Sequence, residues 1–119
     1  MIELIWEMII HEEARSQFEL VFGPGGAWNK VFGKSEGYRG TTMLNDTHQP
    51  NRYLIMDIWD TEIQRDQAID SRADDYAKLN TDLEGWAESQ IEVGVFRLRG
   101  EATVRPSPKS NRRNRRLSR

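Results

Sequence analysis

Four strand-like stretches and two helical regions, in the order β-α-β-β-α-β, predict an α+β domain of the ferredoxin-like, split βαβ type. Residues 2–10 alternate on a period of two and are rich in β-branched and aromatic types. Residues 38–60 hold two further strand-like stretches around the turn cluster Asn45-Asp46-Thr47-His48-Gln49-Pro50-Asn51. Residues 62–84 show helical spacing, and residues 88–98 read as a last strand. Such an order gives a four-stranded antiparallel sheet with both helical regions on one face.

In the first strand Ile2, Leu4, Trp6, Met8 and Ile10 share one face. Glu3, Ile5, Glu7 and Ile9 form the other, which is half apolar. His11-Glu12-Glu13 then supplies negative charge where the dipole of a first helical turn favours it. Ala14, Phe18, Val21 and Phe22 fall on one helical face. Gly23-Pro24-Gly25-Gly26 interrupts that helix, and Trp28, Val31 and Phe32 at i, i+3, i+4 predict a further turn or two. Gly37-Tyr38-Arg39-Gly40 opens the second strand. The third, from Arg52 to Asp60, sets Leu54, Met56 and Ile58 against Tyr53, Ile55, Asp57 and Trp59. Thr61 is a candidate N-cap, and Ile63, Ala68, Ile69, Ala73, Tyr76, Ala77 and Leu79 carry one helix towards Gly85-Trp86.

A chain of 119 residues fits one domain, placed at residues 1–99. Residues 100–119 turn to Pro, Ser, Asn and Arg, and read as a disordered basic tail. The net charge of −2 conceals a tail at +6 and a body at −8. An acidic body does not bind nucleic acid by bulk electrostatics, and the tail has no aromatics to stack on bases. It is expected to attract polyanions non-specifically at most. There is no cysteine, which removes disulfides and thiolate metal sites. No apolar run is long enough to span a bilayer, and no signal peptide is recognisable at Met1-Ile2-Glu3-Leu4. A soluble cytoplasmic protein is the expectation. Strands one and three are apolar on both sides, so both sides of the sheet should be covered. A second copy of the sheet would cover the helix-free side, and a homodimer is expected.

Gly26-Ala27-Trp28-Asn29-Lys30-Val31-Phe32, Gly37-Tyr38-Arg39-Gly40-Thr41 and Arg52-Tyr53-Leu54-Ile55-Met56-Asp57-Ile58-Trp59-Asp60 together resemble the antibiotic biosynthesis monooxygenase family. Tyr76-Ala77-Lys78-Leu79 and Glu92-Val93-Gly94-Val95-Phe96 extend the resemblance, which covers roughly residues 2–98. It implies a dimeric α/β barrel with a pocket between sheet and helices in each subunit. It also implies, for some members, oxygenation of phenolic substrates with no metal or other cofactor. Haem-degrading members use an Asn on the first strand, a Trp near the end of the third and a His on the second helix. Trp59 matches the Trp, but the first strand has no Asn and residues 62–84 have no His. His11 and His48 lie at a junction and in a turn, so haem degradation is disfavoured and no metal site is expected.

Oxygenation of an electron-rich phenol asks a protein for a dry pocket, a group that favours the phenolate, and donors for reduced oxygen. Asp57 is a carboxylate in an apolar strand. If buried, it is either paired, with Arg39 the candidate, or raised in pKa and able to act as an acid/base group. Asp57, Trp59 and Tyr76 are the catalytic candidates. Trp28, Phe32, Tyr53 and Trp86 are the candidates for binding a small aromatic or apolar ligand. The alternative is a non-catalytic, ligand-binding or stress-associated barrel of the same fold.

Overall fold

The computed structural model describes residues 1–101. Its elements are β1 (Ile2–Ile10), a 3₁₀ turn (Glu12–Ala14), α1 (Arg15–Phe22), α2 (Ala27–Phe32), β2 (Tyr38–Asn45), β3 (Arg52–Trp59), α3 (Glu62–Ser71), α4 (Ala73–Trp86) and β4 (Ala87–Arg97). The four strands form one antiparallel sheet in the order β2-β3-β1-β4. This is the ferredoxin-like arrangement expected from the sequence. Within one chain the sheet is open and not a closed barrel. The basic tail falls, beyond Glu101, outside the described residues.

The alternation along β1 and β3 decides which side carries the core. Leu4, Met8 and Ile10 of β1 and Tyr53, Ile55, Asp57 and Trp59 of β3 are all buried. They face Phe18, Phe22, Trp28, Phe32, Ala68, Leu79 and Leu83 from the helices. The other side of the sheet carries no helix. There Met56, on the central strand β3, stands opposite Ile5 of β1 and Thr42 of β2. Leu44, Ile91 and Phe96 of the edge strands are exposed.

Two local features place the helical layer. A Cβ on Gly26 would sit 2.1 Å from the carbonyl oxygen of Leu20, so only glycine lets α2 start this close to the end of α1. At α3, Thr61 Oγ1 accepts the backbone N–H of Gln64 at 3.1 Å, an N-cap as predicted. The single helix expected over residues 62–84 is two. Arg72 leaves helical geometry at φ −124°, ψ 36°, and α4 restarts with Asp74 and Asp75 in its first turn. Carboxylates there complement the helix dipole, which favours a fresh N-terminus at this point.

A bulge positions the second strand. Tyr38 pairs with Trp59 but Gly40 pairs with Ile58, so Arg39 is an extra residue on β2. Gly40 takes up the distortion at φ 136°. As a result Tyr38 and Thr41, three residues apart, point to the same, helix-bearing side.

Candidate functional site

Between the sheet and the helices lies a cavity of about 220 Å³. Its sheet wall is Leu4, Trp6 and Met8 of β1 with Ile55, Asp57 and Trp59 of β3. Its helical wall includes Phe22, Trp28 and Phe32, then Arg65 and Ile69 of α3, and Tyr76, Asn80 and Glu84 of α4. The aromatic side chains interlock. Trp28 packs edge-on to Phe32 at 4.9 Å between ring centroids, and Phe32 meets Trp59 at 5.9 Å. Tyr76 lies 5.9 Å from Trp28 and 6.1 Å from Phe32. Such tilted and edge-on contacts suit the ring quadrupoles and hold the walls in place.

Asp57 is the one buried charged residue among the described residues, at 6% exposure. The pairing register sets it between Leu4 on β1 and Thr41 on β2. Its Oδ1 accepts the indole N–H of Trp28 at 2.9 Å and contacts Thr41 Oγ1 at 2.5 Å. Burial pushes the Asp57 carboxyl up to about 6. Contact with Thr41 and Trp28, whose hydrogens would favour a carboxylate, and the charge of Arg65 pull the other way and are outweighed. Tyr38 continues the polar line. Its hydroxyl lies 2.5 Å from Thr41 Oγ1 and donates to Asn29 Oδ1 at 3.0 Å. Burial, first of all, keeps the Tyr38 phenol above its ordinary pKa and hence protonated.

Arg65 brings a cation to the cavity wall. Its Nε is buried and makes no hydrogen bond, although Asp66 Oδ1 forms an ion pair with it at 3.1 Å. The Arg65 side chain as a whole lines the cavity and brings its positive charge to that wall.

The structure brings together five of the seven predicted site residues: Asp57, Trp59, Tyr76, Trp28 and Phe32 all line the cavity. Tyr53 does not. It is buried against Phe18, and its hydroxyl donates to Glu19 and accepts from Arg15 Nε at 3.1 Å. Trp86 ends α4 and packs against the core outside the cavity lining. The Arg39–Asp57 pair does not form, because the bulge sends Arg39 to Asp60, at 2.8 Å. Neither His11 nor His48 lines the cavity. Sequence reasoning missed Arg65, Asn80 and Glu84, whose sole signal was a polar residue on the inner side of a helix. It also missed Thr41 and Tyr38 as partners of Asp57.

No protein-family model matches the chain, and no curated protein matches it. Solved structures do. SnoaB from Streptomyces nogalater, a cofactor-independent oxygenase, superimposes with a TM-score of 0.71 at 18% identity, over 87% of this chain and 97% of that one. A candidate antibiotic biosynthesis monooxygenase from Bacteroides thetaiotaomicron gives 0.68 at 12% identity, over 87% and 95%. Rv0793 from Mycobacterium tuberculosis gives 0.65 at 13% identity, over 86% and 98%. The chain has the fold of the antibiotic biosynthesis monooxygenases.

Proposed function

We propose that this protein is a monooxygenase of the antibiotic biosynthesis type, which oxygenates a small phenolic or other flat aromatic molecule without a cofactor. The observation that carries this reading is the aromatic-walled cavity with a single buried carboxylate, Asp57. In such a reaction one oxygen atom of O₂ enters the substrate and the other leaves as water. The substrate itself supplies the electrons. The protein's part is to exclude water, orient the ring and stabilise charge as it develops on oxygen. Trp28, Phe32 and Trp59 form the apolar walls. Tyr76 and Arg65 offer hydrogen-bond donors to substrate or reduced oxygen. Asp57 is the acid/base group. At about 220 Å³ the cavity is smaller than most drug-sized sites and suits a compact ring system.

The helix-free side of the sheet supports the homodimer half of the reading. Each of the four strands puts apolar side chains on it, among them Ile5, Met56, Leu44, Ile91 and Phe96, beside the Arg52–Glu7 ion pair. A second copy presents the same surface and would bury both.

Oxygen uptake with a panel of hydroquinones and anthrones tests the activity. Uptake by the wild type that falls at least tenfold in Tyr76→Phe or Asp57→Asn is the expected result. Saturable binding of the same compounds with no oxygen uptake would overturn the enzyme and leave the ligand-binding barrel.

A further inference from the structure

Asp57 Oδ1, Thr41 Oγ1, the Tyr38 hydroxyl and Asn29 Oδ1 form a line of four oxygens, separated by 2.5, 2.5 and 3.0 Å. Each of the three links needs one hydrogen. The orientation of Asn29 is fixed, because its Nδ2 meets the Gly23 carbonyl oxygen at 3.1 Å and that oxygen can only accept. Asn29 Oδ1 is therefore an acceptor, and Tyr38 must donate to it. Tyr38 has one hydrogen, so the hydrogen between Tyr38 and Thr41 belongs to Thr41. Thr41 then has none left for Asp57. The last link is bridged only if the carboxyl carries the hydrogen. With Asp57 ionised, two hydroxyl hydrogens serve three contacts, and one pair of oxygens faces with nothing between them.

We propose that the line from Gly23 through Asn29, Tyr38 and Thr41 holds Asp57 as a neutral carboxylic acid, and that Oδ2 receives a hydroxyl of the ligand. Oδ2 takes no protein hydrogen bond among the described residues, and Asp57 lines the cavity. On the oxygenase reading above, which the ligand half rests on, this is the phenol hydroxyl of the substrate in its neutral form. Ionising Asp57 requires two hydroxyls to turn. Thr41 swings to Oδ1, Tyr38 swings to Thr41, and Asn29 loses its donor. The β2 bulge makes the line possible, since Tyr38 and Thr41 would otherwise face opposite sides of the sheet. Besides Thr41 and Tyr38 of β2, the polar groups around Asp57 are the Trp28 N–H of α2, Arg65 of α3, and Tyr76 and Glu84 of α4. β1 presents Leu4. Arg65 favours the ionised form, so it opposes the line and does not create it.

The test is a carbon-13 NMR titration of the Asp57 carboxyl in the full chain, with Asp57→Asn to assign the signal. Tyr38→Phe frees Thr41 to donate to the carboxylate. The midpoint should fall by about one pKa unit, the worth of one hydrogen bond to a charged group. Asn29→Ala, which frees Tyr38 to donate to Thr41, should lower it in the same direction. If Thr41 always donates to Asp57, removing Tyr38 leaves the midpoint unchanged or raises it, and either result overturns the proton count. Circular dichroism of each variant guards against unfolding, and the two substitutions act independently. The ligand half is read by fluorescence with 2-naphthol and 2-methoxynaphthalene. Several-fold tighter binding of 2-naphthol, lost in Asp57→Leu, is expected. Equal affinities, or no binding of 2-naphthol, overturn the hydroxyl site. None of these measurements depends on oxygen uptake, so failure of the oxygenase reading would show separately.

Discussion

Replacing Asp57 by Asn should make the protein gain stability relative to the wild type as pH rises from 4 to neutral. The carboxyl has a pKa of about 6 in the folded chain against an ordinary value of 3.8. A raised pKa means that the folded state holds the proton more tightly than the unfolded one. The stability this provides is complete below the unfolded value and is lost as pH rises through the folded one. Two pKa units at 1.36 kcal/mol each correspond to about 3 kcal/mol, lost between about pH 4 and pH 6. Asparagine keeps an acceptor for Trp28 and has no proton to lose; it also brings no hydrogen to Thr41, a cost that is the same at every pH and so leaves the pH dependence of the difference to Asp57. Urea unfolding of both proteins at each pH from 4 to 8, followed by circular dichroism, gives the difference curve. That difference isolates Asp57, because Asp46 and Asp60, whose hydrogen bonds lower their pKa values, contribute to both proteins alike. It should rise by about 3 kcal/mol towards pH 6 and then level. A rise that continues above pH 6 is what the Tyr38–Thr41 line adds. A flat difference would refute the claim that Asp57 ionises at a cost inside the fold.

Trp59→Ala should destabilise by about 3–5 kcal/mol in the same unfolding assay, since Trp59 is buried between Phe32 and Tyr38. Thr61→Ala should cost about 1 kcal/mol by removing the cap on Gln64 N–H, with the cavity untouched. Light scattering at micromolar concentration should give twice the 13.9 kDa chain mass for the wild type and one chain mass for Met56→Glu. A wild type that stays monomeric would remove the second copy from the helix-free side.

A carboxylate in an apolar strand brings a solvation problem that folds usually avoid. Here it costs stability at neutral pH, because burial disfavours the charged form. If the proposed oxygenation depends on Asp57, the fold trades stability for function at this position.

Alternation and spacing along the chain determined the order of elements, the two faces of β1 and β3, and the side on which Asp57 and Trp59 lie. These follow from local periodicity, because a strand residue's side is fixed by its own backbone. The Thr61 cap and the Gly-Pro-Gly-Gly break were local as well. What Asp57 touches was decided only by tertiary structure. Trp28 reaches it across 29 residues of sequence, and Thr41 across 16. One bulged residue, Arg39, changes the parity of β2, taking Arg39 to Asp60 and bringing Tyr38 and Thr41 together. Tyr53 shares the strand face of Asp57 but lies beyond the cavity, because Phe18 packs on it there. Side and period are properties of a segment. Partners, register and enclosed space are properties of how segments meet.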